Sequence, residues 1–153
     1  MSRKKKQLVA SIAVIFNEKD EVLIALRNQP SLSMAHNKWE LPGGGVEFEE
    51  DPLYTLTREV EEETGLTVKI LGMIPQIYHS IWHHKTYDSQ VFLFCYVCKV
   101  IDGIVHSIDE EVVDPQWFLP SKIDYKNSLP YTKEIIDLGL EIWKKSKTNL
   151  TKE

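Results

Sequence analysis

A chain of 153 residues, 42% hydrophobic and 27% charged, can bury one core without disulfides or a structural metal, and it reads as a single domain over residues 1–153. Its net charge of −5 argues against a nucleic-acid polymer as partner, which would need a basic face to displace counterions. A small anionic substrate stays open, provided a metal bridges it to the protein.

No apolar run approaches a membrane span, and the basic start Met1-Ser2-Arg3-Lys4-Lys5-Lys6 leads into a strand with no small-residue cleavage site. The expected location is therefore cytoplasmic, with no membrane partner, and the basic run reads as a solvated tail.

In chain order, residues 7–16 and 21–27 are apolar and β-branched and flank a turn at 17–20, which predicts a hairpin. Residues 28–37 read as a loop. Residues 39–41 are short and extended, because Pro42 disfavours helix at the residue before it. Gly43-Gly44-Gly45 fits no regular element. Residues 51–64 predict the clearest helix, with Asp51 as N-cap, Pro52 in the first turn and Gly65 as terminator.

Residues 66–82 are rich in β-branched side chains, with a break suggested at Gly72 and Pro75. Residues 90–100 are the expected antiparallel partner, and Asp102-Gly103 marks a turn. A short strand is expected at 117–119 and a second helix at 131–147, with Ile135, Ile136, Leu138, Leu140 and Trp143 on its apolar side. Strands, helix, strands, helix predicts an α/β fold whose mixed sheet carries helices on both faces.

Cys95 and Cys98 have the spacing of a redox pair, but they sit in a strand, where positions three apart point to opposite faces, and no second pair completes a zinc site. They read as packing residues. His83-His84 likewise diverge on a strand and make a poor metal pair.

Eight acids crowd residues 47–63: Glu47, Glu49, Glu50, Asp51, Glu59, Glu61, Glu62 and Glu63, with Arg58 the sole base. At ~100° per residue, Leu53, Leu56, Thr57, Val60 and Thr64 form the core stripe, and Glu59, Glu62 and Glu63 gather beside it. Glu61 points to the other flank. Three carboxylates with no lysine or arginine spaced to neutralise them raise one another's pKa unless a cation joins them. Magnesium is the natural occupant, with manganese as a substitute. The glycines upstream let the backbone approach metal and phosphate.

Gly44, Glu50, Arg58, Glu59, Val60, Glu62, Glu63, Gly65 and Leu66 fill the pattern G-x5-E-x7-R-E-[apolar]-x-E-E-x-G-[apolar] without a gap. Chance would give such a match at a start position on the order of once in a billion. The chain thus resembles the Nudix hydrolases, with the signature at residues 44–66. The resemblance implies the Nudix fold, an α/β/α sandwich, and magnesium-dependent cleavage of a phosphoanhydride in a nucleoside diphosphate derivative. It implies that Glu59, Glu62 and Glu63 bind metal and act in catalysis, that Gly43 gives a carbonyl ligand, and that Glu50 and Arg58 brace loop against helix beside Gly44. In such enzymes divalent metal polarises the phosphate while a carboxylate takes a proton from the attacking water. Many members carry glycine where Glu49 stands.

By the same resemblance, Arg27 corresponds to arginines that hold phosphate, or is simply an exposed strand end. Glu111, six residues before Trp117, corresponds to a further catalytic and metal-binding glutamate, with Glu110 its competitor and a solvated acid in the run Asp109-Glu110-Glu111 the plain alternative. Residues 34–44 are similar to the MutT branch, which cleaves nucleoside triphosphates to monophosphates and pyrophosphate, including oxidised purine nucleotides. There an asparagine ahead of the last helix reads the base; Asn127 stands about there, although an Asn-Ser pair also suits a turn. Trp82, His83, His84 and Tyr87 form a polar-aromatic segment that either stacks on a base or packs internally. The proline that marks ADP-ribose enzymes, sixteen residues past the signature, is replaced by Trp82.

The expected substrate is a (d)NTP, an oxidised or modified purine nucleotide included. The alternatives are a nucleotide sugar, ADP-ribose or a dinucleotide, and, in another class, a non-catalytic nucleotide sensor. Retention of all three glutamates disfavours the sensor. Dimers are frequent in the family, so a homodimer is compatible with the resemblance.

Overall fold

In the computed structural model, which describes residues 2–107 and 110–150, the N-terminal strand continues outward into the basic run. Strand β1 (Lys4–Phe16) pairs in parallel with β7 (Tyr87–Asp102), from Lys4 opposite Tyr87 to Phe16 opposite Lys99. Lys4–Lys6 of the basic run expected as a solvated tail are therefore part of the sheet. Strand pairing satisfies its backbone while the charges stay in water. Arg3 donates to the Asp88 carboxylate at 3.0 Å and to the Tyr87 carbonyl at 3.1 Å. The Lys6 ammonium lies 4.4 Å from the centre of the Tyr87 ring.

Strand β2 (Val22–Arg27) meets β1 at Phe16 and Val22, closing the expected hairpin, and pairs with β3 (Trp39–Glu40) and β8 (Val112–Phe118). The triple glycine is itself a strand, β4 (Gly43–Gly45), antiparallel to β1. Its lack of side chains explains both the failed expectation and the pairing: Gly43 adopts φ 148°, and a Cβ there would lie 2.2 Å from the Ser11 carbonyl oxygen. Strands β5 (Thr67–Met73) and β6 (Tyr78–His83) both pair antiparallel with β7, separated by a break that contains Pro75. Strand β8 begins five residues earlier than expected. Pro115 and the left-handed Asp114 (φ 55°) obscured it, and the β2–β8 register shifts between Ile24 and Leu26 to accommodate them.

Helix α1 (Pro52–Thr64) starts where Asp51 accepts from the Leu53 amide at 2.7 Å and stops at Gly65, φ 76°. Its Leu56 and Val60 pack with Ala13, Ile15, Leu23 and Cys98 on one face of the sheet. Helix α2 (Thr132–Leu150) sets Ile135, Ile136 and Trp143 against Val14, Phe16, Ile24 and Cys95 on the other. The fold is the expected α/β/α sandwich around a mixed sheet, with Cys95 and Cys98 buried on opposite faces. The core stripe of α1 is rotated from the one expected: Thr55 and Glu63 are buried, while Leu53, beside the exposed 47–49 segment, is 46% exposed. Among the described residues no helix is long and apolar enough to cross a membrane. Asp109 lies outside the described residues.

Candidate active site

Residues four apart on a helix share a face, so Glu59 and Glu63 emerge one above the other from α1. Both line a cleft of about 560 Å³ that passes along β4 and opens over the α2 face of the sheet. The Gly43 amide donates to Glu63 Oε2 at 3.0 Å, and Gly44 leaves the space in which the Glu59 carboxyl group lies. Backbone glycine thus fixes one carboxylate and makes room for the other.

Glu62 stands apart from them. Its side chain is 53% exposed and accepts from Arg58 Nη1 at 3.1 Å, while the same nitrogen reaches Glu59 at 3.2 Å. The expectation that no base neutralises the glutamates is corrected here. Arg58 lies four residues before Glu62, and its forked guanidinium serves both carboxylates at once. Its Nε and Nη2 grip Glu50 at 3.1 and 3.0 Å, and Thr55 also donates to Glu50. With Arg58 foremost and Thr55 next, these donors hold the Glu50 carboxyl at about 2.

Arg27, at the end of β2, reaches the cleft. Its Nη1 donates to Glu40 at 3.0 Å and its Nε to Gln29 at 2.8 Å. Glu40 also lines the cleft; burial raises its pKa most, Arg27 opposes this, and the nearby Glu111 adds to it. Glu111, just before β8, lines the same cleft as the helix-borne pair, and Glu110 is not among the lining residues. The sheet supplies an apolar floor of Leu8, Ala10, Ile12, Val91 and Leu93, with Trp82 and His84 beyond it. His84 stacks on Tyr87 at 4.2 Å and His83 bonds Asp88, so the histidines do diverge.

Asn127 is not brought to this site. The short 3-10 turn Tyr125–Asn127 directs its amide to the Asn37 carbonyl at 3.0 Å, where it braces two loops. The turn propensity of the Asn-Ser pair accounts for this placement.

Among the described residues no three His, Cys, Asp or Glu side chains are already gathered as a metal cage. The donors nevertheless fit a hard divalent cation in kind. Glu59 and Glu63 offer carboxylate oxygens side by side in the cleft, next to glycine backbone that admits a ligand closely. Glu62 would join them by turning from Arg58.

A family model described as NUDIX domain matches residues 5–138. The chain belongs to the Nudix family. It is 40% identical over 72 residues to an 8-oxo-dGTP diphosphatase of Escherichia coli strain K12, covering 47% of this chain and 54% of that protein. It is 38% identical over 65 residues to an RNA pyrophosphohydrolase of Acidiphilium cryptum strain JF-5, covering 42% of this chain and 39% of that one. The matched segment thus spans about half or less of these two relatives. The crystal structure of the MutT protein from Methanosarcina mazei Go1 superposes with a TM-score of 0.65 at 24% identity, over 95% of this chain and 99% of that one, which establishes a common fold.

Within this Nudix domain the Glu50–Arg58 brace expected from the resemblance is present. Glu49, where many Nudix proteins carry glycine, adopts φ 68°, a left-handed conformation that glycine accepts without strain. Sequence reasoning missed Glu40 as a cleft residue. An acid between Trp39 and Leu41, in a segment too short to show a period, was the only signal for it.

Proposed function

We propose that this Nudix domain is a divalent-metal-dependent pyrophosphohydrolase that converts a nucleoside triphosphate, with oxidised or modified purine forms included, to the monophosphate and pyrophosphate. The observation that carries the reading is the continuity of one cleft, from Glu59, Glu63 and the glycine strand at one end to an apolar floor and Trp82 at the other. A nucleotide has the same two-part character. Its base and sugar suit Leu8, Val91, Leu93 and Trp82, and its phosphates suit the polar end. The similarity to an 8-oxo-dGTP diphosphatase supports the choice of a triphosphate.

Magnesium bound there would supply charge neutralisation on the phosphate oxygens and acidify water. Glu59 and Glu63, with Glu62 once released from Arg58, would hold it. Arg27, held in place by Glu40 and Gln29, would bind phosphate charge. Glu111, in the same cleft, would accept the proton of the attacking water on a carboxylate oxygen as water approaches phosphorus in line.

The test is a panel of nucleoside triphosphates, oxidised purine triphosphates, nucleotide sugars, ADP-ribose and dinucleotides with magnesium, separating monophosphate, pyrophosphate and orthophosphate. Monophosphate with pyrophosphate from a triphosphate is expected. Turnover confined to nucleotide sugars, ADP-ribose or dinucleotides, or no turnover of any member, would overturn the reading.

A further inference from the structure

Two hydrogen bonds from one residue fix the segment that carries Glu111. The Asn28 amide N–H donates to the Glu111 carbonyl at 2.8 Å, extending the β2–β8 ladder one step past Arg27 and Val112. The Asn28 side-chain Nδ2 donates to the preceding carbonyl, that of Glu110, also at 2.8 Å. A ladder needs only the first of these. The second holds the adjoining peptide too, so the backbone at residues 110–111 is gripped on two consecutive carbonyls. The neighbours of Asn28 are equally committed: Arg27 to Glu40 and Gln29, and Gln29 to Arg27. This tripeptide therefore ties together three cleft-lining carriers of charge: Arg27, Glu40 and Glu111.

We infer that Asn28 is a positioning residue, whose side-chain clamp on the Glu110 carbonyl sets the Glu111 carboxylate in the cleft that Glu59 and Glu63 also line. The inference rests on the reading of Glu111 given above and adds what holds it in place. A carboxylate on an exposed loop samples many positions, and displacement by about 1 Å is enough to cost up to ~10²-fold in rate. The clamp removes that freedom without touching the reacting atoms. Its loss should therefore appear in kcat, with KM and the melting temperature little changed.

Asn28→Ala should lower kcat by ~10-fold, within that range, with KM within twofold of wild type. Asn28→Ser retains a donor and should recover part of the rate. Asn28→Asp has the size but not the donor and should not. The decisive comparison uses Glu111→Gln. Adding Asn28→Ala to it should cause no further loss, because residues acting through one another are non-additive. A wild-type kcat for Asn28→Ala, or full additivity on an impaired Glu111→Gln background, would overturn the clamp alone. A wild-type-like Glu111→Gln enzyme would instead overturn the reading of Glu111, and the clamp with it. Glu110→Gln is the control and should be mild, since only its backbone is used.

Discussion

Gly44 and Glu59 share a single space: a Cβ at residue 44 would fall 2.4 Å from the Glu59 carboxyl carbon and 2.6 Å from one of its oxygens. The obstacle is the far end of a side chain, so a methyl group there displaces the carboxylate and leaves the backbone alone. Gly44→Ala should therefore fold with a near-native melting temperature and lose turnover by ~10-fold or more, in line with the cost of a misplaced group. Gly43→Ala is the contrast. Its Cβ would strike the Ser11 carbonyl at 2.2 Å, and it should lose about 2–3 kcal/mol of stability. Thermal melts beside initial rates separate the two. Equal melting losses in both variants would contradict this account.

Glu63 is buried with its carboxylate on the Gly43 amide, whereas Glu62 is half exposed and paired with Arg58. Neutralising either removes a ligand charge and leaves the core filled. Glu62→Gln and Glu63→Gln should each reduce turnover by ~10²-fold or more if metal supplies several kcal/mol of barrier lowering. Magnesium titrations of both variants check this. Wild-type activity in both at low magnesium would remove the glutamates from the chemistry.

The Glu50 carboxyl is held at about 2, against an ordinary 4.5, chiefly by Arg58 and then by Thr55. A carboxyl depressed on folding stabilises the native state above its unfolded pKa, and that contribution is lost as pH falls through the folded value. The window here runs from about 4.5 down to about 2. Melting temperatures of wild type and Glu50→Gln should differ by a constant amount between pH 6 and 8, as the flat part of such a profile requires. They should converge as pH drops from 4.5 toward 2. A gap that widens on acidification would exclude the brace.

Burial pushes both thiols up to about 12, so neither Cys95 nor Cys98 carries thiolate at neutral pH. Cys95→Ala combined with Cys98→Ser should cost about 1–3 kcal/mol of stability through lost packing and a buried hydroxyl. Activity at moderate temperature should remain, with no response to reductant in either protein. An effect of dithiothreitol on the wild-type rate would count against this.

Much of this was legible in the sequence because periodic signals survive folding. The caps of α1 and the placement of Glu59 and Glu63 follow from spacing along one helix, and the pairing of Glu50 with Arg58 follows from the family resemblance. What escaped was set by contacts between distant segments. β4 has no side-chain pattern to read and exists because its glycines fit against β1. The basic segment became a strand because β7 offered it a partner. Asn127 has a local use as a turn residue, and its side chain braces the loop at Asn37. Glu40 and Asn28 acquire meaning only when the ends of β2, β3 and β8 meet.

The long parallel pairing of β1 with β7 bears on how the chain is made. Lys4 and Tyr87 are neighbours in space although most of the first hundred residues separate them. Contacts of such sequence separation require closing a large loop before any pairing rewards it, so they form slowly and late. During synthesis the apolar stretch Ile12, Ala13, Val14, Ile15 and Phe16 must wait with one edge open until β7 has left the ribosome. The hairpin with β2 and the short glycine strand guard only the opposite edge. A chain ending before residue 87 would hold a complete Nudix signature and an unpaired hydrophobic strand together. Such a fragment should aggregate rather than work as a smaller enzyme.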